Sequence, residues 1–133
     1  MDFELKKLKW QIFKMAETGD IAGIKTAMAE REDTRLYLED ALQIASRHNQ
    51  FELVKYLHTD LDVDIHSAED YALHEALDNG HLEIAKYLHA HGAVANPDDD
   101  LYYWSKEYGF EDVIDFLKSI NYPDVFNRLK AFT

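Results

Sequence analysis

Apolar positions along the chain recur at helical spacing in short blocks separated by glycine or asparagine turns, and the blocks themselves repeat. The pattern is clearest between Tyr71 and His89. There Ala72, Leu73, Ala76 and Leu77 fall on one side of a first helix, and Asn79-Gly80 supplies a turn at which glycine accepts a positive φ without a steric penalty. A second helix follows with Leu82, Ala85 and Leu88 on one face, Ile84 flanking it, and Glu83 and Lys86 turned to water. It ends near His91-Gly92, with glycine where a helix C-terminus favours it.

The segment Asp40 to His58 aligns with this unit without gaps, thirty-one residues earlier. A weaker copy precedes both, from Gln11 to Ile21, and another follows from Tyr102 to Leu117. Four units of paired helices are therefore expected, at about 3–30, 36–60, 70–92 and 99–119. Ala45, Ala76 and Ser105 share one register, which fits a slot where neighbouring helix pairs approach closely only if the side chain is small. Stacked units bury one continuous apolar layer, and the end units need a covering. At the N-terminus Phe3 to Glu17 reads as a helix with Phe3, Leu5, Leu8, Ile12 and Phe13 available for packing and the lysines outward. At the C-terminus a short capping helix is expected over 122–132, where Pro123 suits a first helical turn.

These residues resemble the ankyrin repeat family, whose units run Ala-Leu-His-x-Ala, then Asn-Gly-His-Leu-Glu-Ile-Val-Lys-x-Leu, then Gly-Ala-Asp. Here Ala72 to Ala76, Asn79 to Leu88 and Gly92-Ala93-Val94 follow that pattern, and the resemblance extends from Gln11 to Ser119. It implies an all-α solenoid of stacked helix-turn-helix repeats with short loops, in a single domain over 1–133. It implies no enzyme and no cofactor, but a protein-interaction module in which His74 and His81 bond backbone between adjacent repeats. The usual Thr-Pro opening is missing and the period falls short of the customary ~33 residues, so short or irregular β-hairpin fingers are expected. In tone the third repeat is similar to ankyrin repeats of large DNA viruses and of bacteria.

Charge sharpens the expectation about partners. The chain of 133 residues carries a net charge of -12, concentrated between Tyr56 and Ser105, where Lys86 alone opposes a long run of aspartates and glutamates. Such a field repels phosphate and attracts cationic surfaces, which argues against direct nucleic-acid binding and for a protein partner with a basic surface. The exception is Lys6, Lys7, Lys9 and Lys14, read as a solvated helix face. There is no cysteine, which excludes disulfides and thiolate chemistry and suits a reducing, cytoplasmic setting in its own or a host cell. Neither a secretory h-region nor a membrane-length apolar run is present, so no membrane partner is expected.

Candidate chemistry is thin. Asp60-Leu61-Asp62-Val63-Asp64 opens like a calcium loop, but Ile65 stands where the bend requires glycine and Tyr71 where the bidentate glutamate belongs. His74 lacks a second histidine one turn on, and His89 and His91 would diverge by about 100° on a helix. No metal site and no catalytic residue is assigned. The candidate partner-binding residues are the acidic Asp60, Asp62, Asp64, Glu69 and Asp70 in one inter-repeat loop and Asp98, Asp99 and Asp100 in the next. The aromatics Tyr71, Tyr103 and Trp104 beside them are candidate anchors. The expected mechanism is occlusion of a basic partner, as an immunity protein or viral counter-defence factor would act on a nucleic-acid-handling protein. Two other readings stay open: a metal-dependent hydrolase on the repeats, and a structural repeat that self-associates. The expected state is a monomer or weak homodimer.

Overall fold

The computed structural model describes residues 3–95 and 101–120. The capping helix expected over 122–132 lies outside them. In chain order the helices are α1 (Phe3–Thr18), α2 (Ile21–Glu30), α3 (Leu38–Arg47), α4 (Phe51–Thr59), α5 (Ser67–Asp78), α6 (Leu82–Ala90), α7 (Leu101–Glu107) and α8 (Glu111–Ser119). A 3-10 helix, Glu32–Tyr37, links the first pair to the second, pinned by the buried Thr34, whose hydroxyl donates to the Ala27 carbonyl at 3.0 Å. No strand occurs among the described residues, so the link between α4 and α5 is an irregular loop rather than a β-hairpin.

Each pair is closed by the same backbone turn. Gly19, Asn49, Gly80 and Gly109 all adopt a left-handed conformation, with φ of 73°, 60°, 73° and 72°. The amide that follows each donates to a carbonyl five residues back: Asp20 to Met15, Gln50 to Ala45, His81 to Ala76 and Phe110 to Ser105. Glycine fits this conformation freely, and asparagine is among the few other residues that tolerate it.

The core runs through every pair. Leu8, Ile12, Ile24, Leu42, Leu53, Leu57, Leu73, Leu77, Ile84, Leu88 and Leu117 are buried in one connected cluster. Each such side chain contributes about 1.5–3 kcal/mol by leaving water. Ala45, Ala76 and Ser105 are all buried, as a close-approach slot requires. The Ser105 hydroxyl has no hydrogen-bond partner among the described residues.

The first helix departs from expectation. Leu8 and Ile12 face the core, but Phe3, expected to pack, is 76% exposed; Trp10 on the same helix is 68% exposed. Five residues span 140° beyond a full turn, so Phe3 sits on nearly the opposite side of α1 from Leu8.

Candidate functional site

The acidic loop between α4 and α5 owes its shape to alternation. Val63 and Ile65 point inward and are buried, which turns Asp62, Asp64 and His66 outward on the opposite side of an extended backbone. Asp62 takes a positive φ of 54°, and the loop re-enters helix through Ala68, Glu69 and Asp70, three successive left-handed residues with φ of 54°, 57° and 62°. Non-glycine residues hold this conformation only where surrounding contacts impose it, at about 1–2 kcal/mol each. The contacts are visible. The Asp64 carboxylate accepts from the His66 amide at 2.9 Å, His66 Nδ1 donates to Asp70 Oδ1 at 2.6 Å, and the Ser67 hydroxyl donates to Glu39 Oε2 at 2.8 Å.

Asp70 is a tether as much as a surface charge. Its second oxygen accepts from the Val94 amide at 3.2 Å, which ties the next inter-repeat loop to this one. In that second loop Ala93 and Ala95 are buried and Val94 is exposed, the same in-and-out alternation. Asp98, Asp99 and Asp100 lie outside the described residues. Asp60, Asp62, Asp64 and Glu69 are exposed, and none is within ion-pair distance of a lysine or arginine among the described residues. Asp60 accepts from the Thr59 hydroxyl at 2.8 Å.

A histidine-lined cleft of about 380 Å³ sits beside these carboxylates, formed by His58, His66 and His91 with Asp62 and Asp64. His58 Nδ1 lies 2.6 Å from the Tyr87 hydroxyl, and its ring packs edge-on against His91. Burial pushes the His58 imidazole toward neutrality, and the neighbouring His91 and His66 act the same way against the opposing pull of Asp62. A neutral His58 leaves the charge of Asp62 uncompensated at neutral pH. His89 and His91 diverge: His89 donates to the Ala93 carbonyl at 3.3 Å and packs on Phe116. Among the described residues, no group of three or more His, Asp or Glu side chains is placed to hold a metal ion.

The aromatic candidates separate into two settings. Tyr71 is exposed at the start of α5, but its hydroxyl is held by Glu75, which raises the phenol's pKa. Glu75 in turn is buried to 8% exposure and accepts a two-pronged ion pair from Arg47, at 2.8 and 3.2 Å. Burial opposes ionisation of Glu75, but the bonds from Arg47 and Tyr71 outweigh it and hold the carboxyl below its ordinary range. On α7, Tyr103 and Trp104 are each 48% exposed and meet edge-on at 5.2 Å. Trp104 stacks on Tyr108 at 5.8 Å, and Tyr108 leans on Phe110 at 5.7 Å. The result is an exposed aromatic ladder running toward the third unit's turn, where the Phe110 ring lies beneath Gly80.

Sequence reasoning placed His81 correctly: its Nε2 donates to the Arg47 carbonyl of the preceding unit at 2.9 Å. Gln50 performs the same task one unit earlier, donating to the Glu17 carbonyl at 2.7 Å. His74 is half-buried on α5. The Arg47–Glu75 clamp, the Asp70 tether and the extension of the ladder through Tyr108 were missed. The last had a readable signal, since Trp104 and Tyr108 are spaced by one helical turn.

No helix among the described residues is long and apolar enough to cross a membrane. A family model described as ankyrin repeats (3 copies) matches the sequence over residues 12–99 and again over 42–125. No curated protein and no solved structure gives a significant match.

Proposed function

The chain belongs to the ankyrin repeat family, and from that premise we propose that it binds a basic protein surface through the acidic loop before α5, with the α7 aromatics as anchors. Ankyrin repeats are protein-protein interaction modules in general. The observation that carries the finer reading is the display of Asp60, Asp62, Asp64 and Glu69: outward, free of cationic partners among the described residues, and on a loop fixed at both ends. Fixed charge needs no ordering when a partner arrives, so electrostatic attraction goes into steering rather than into organising the loop. Tyr103 and Trp104 supply exposed apolar area on α7, and Asp98, Asp99 and Asp100 extend the same acidic sequence.

The mode of action in this proposal is occlusion. A surface that carries negative charge in place of phosphate competes with nucleic acid for the partner's cationic face, which makes the chain an inhibitor or regulator of a nucleic-acid-handling protein. The proposed setting is the cytoplasm of the chain's own or a host cell.

The test is affinity capture from native lysate at low and at high salt, with the wild-type chain and with a variant carrying Asp60→Lys, Asp62→Lys, Asp64→Lys and Glu69→Lys. Basic proteins retained by the wild type at low salt are expected to be lost from the variant and from the high-salt wash. Retention of the same proteins by the charge-reversed chain sinks the acidic loop as the binding face.

A further inference from the structure

A wide groove lies on the first helix pair, away from the acidic loop before α5. It measures about 1210 Å³ and runs between α1 and α2 on the side turned away from α3. Phe3 and Trp10 form one wall of it, and the other wall is low because Ala22, Gly23 and Thr26 are small. Trp10 is held upright by an edge-on contact with Phe13 at 5.9 Å. That face leaves two large aromatics, Phe3 and Trp10, exposed to solvent.

The rim is cationic. Lys6, Lys7 and Lys14 flank the aromatics on α1, whereas the carboxylate of Asp20 is occupied in capping α2 through the Gly23 amide at 2.8 Å. Arg31 and Glu30 close the far end, and Arg31 pairs with Asp33. An apolar trough with lysines along one edge is complementary to a helix that carries apolar side chains on one face and carboxylates beside them.

We propose that the α1–α2 groove is a second docking surface, for an acidic amphipathic helix of a partner protein. The bound helix lays its apolar face against Phe3 and Trp10 and its carboxylates against Lys6, Lys7 and Lys14. The two surfaces then have opposite charge preferences, and the chain can bridge a basic partner and an acidic one.

The probe is a fluorescently labelled two-heptad peptide with leucines on one face and glutamates on the other, compared with its lysine counterpart by anisotropy. Saturable binding of the glutamate peptide is expected, with no saturation by the lysine peptide. Lys7→Glu with Lys14→Glu is expected to weaken binding on the order of tenfold, and Trp10→Ala to weaken it further. These side chains are exposed, and an unchanged melting temperature checks that each variant is folded. Charge reversal of Asp62 and Asp64 is expected to leave peptide binding intact, which separates this surface from the acidic loop. The proposal is overturned if the glutamate peptide fails to saturate, if both peptides bind alike, or if the α1 variants bind as the wild type does. It is also overturned if sedimentation shows a dimer that Trp10→Ala dissolves, because the groove's occupant is then a second copy.

Discussion

The junction between the second and third units and the junction between the third and fourth use one backbone and two chemistries. At the first, Arg47 clamps the buried Glu75 and His81 bonds the Arg47 carbonyl. At the second, the register position of Glu75 is taken by Trp104 and that of His81 by Phe110, whose ring lies against Gly80. Directional bonds fix how one unit sits on the next and leave little apolar surface at the rim. The Phe110 ring reaches the third unit less specifically, while Trp104 and Tyr108 stack on each other within the fourth and stay 48% and 63% exposed, where a partner can reach them. The ring that meets the neighbouring unit at the second joint thus continues into an exposed aromatic ladder, whereas the clamp at the first is built from a buried carboxylate and its cation.

The sharpest way to break this comparison is through the glycines. A Cβ at Gly80 would stand 3.1–3.2 Å from the Phe110 ring, whereas one at Gly109 meets nothing within 4 Å, although both residues have nearly the same positive φ. Gly109→Ala is expected to cost about 1 kcal/mol from backbone strain alone, and Gly80→Ala about 2 kcal/mol. Thermal unfolding of the two variants measures the difference, and equal losses would show that the Phe110 contact contributes nothing.

Next in size is the polar clamp. Arg47→Met leaves Glu75 buried without its cation and is expected to cost about 1–2 kcal/mol, with Arg47 itself half-exposed to solvent. The double variant Arg47→Met, Glu75→Leu should recover part of that loss, because the buried charge is gone. The pH dependence follows the same pair. Glu75 has its folded-state pKa depressed below the ordinary 4.5, so its contribution is complete above that value and is lost as pH falls through the depressed one. The stability gap between wild type and Glu75→Gln, followed by melting from pH 7 to pH 3, is therefore expected to narrow only below about 4.5. A constant gap would mean that the carboxylate's ionisation is irrelevant to the joint.

The smallest effect belongs to the slot at the second joint. Ser105 occupies the register of Ala45 and Ala76 with a buried hydroxyl that has no partner among the described residues. Ser105→Ala is expected to stabilise by about 0.5–1 kcal/mol, read as a raised midpoint in urea. A lowered midpoint would place a bond on that hydroxyl.

Much of this architecture was legible in the residues because it depends on local rules. Gly19, Gly80 and Gly109 announce left-handed turns, and the Leu and Ala spacings announce buried faces. What the sequence withheld depends on geometry across units. Arg47 and Glu75 are twenty-eight positions apart, so nothing local links them until the register of stacked helices is known. Asp70 looks like its exposed neighbours in composition, yet its two oxygens are committed to His66 and Val94. Phe3 was misplaced for another reason. An apolar residue near a chain end signals either a core contact or a free surface, and only the angle around α1 decides between them. Asp60, Asp62, Asp64 and Glu69 were identifiable as a charged run, but their outward display follows from the burial of Val63 and Ile65.

Three turns of one path, at Gly19, Asn49 and Gly80, meet three different side chains from the following unit, Gln50, His81 and Phe110. Where the chain goes is thereby separated from what holds adjacent modules together. A joint built this way can be re-glued by exchanging one residue, with no rerouting of the backbone, and each exchange alters the outer surface of that module alone. The fold is in this sense a rack whose fittings can be swapped one slot at a time.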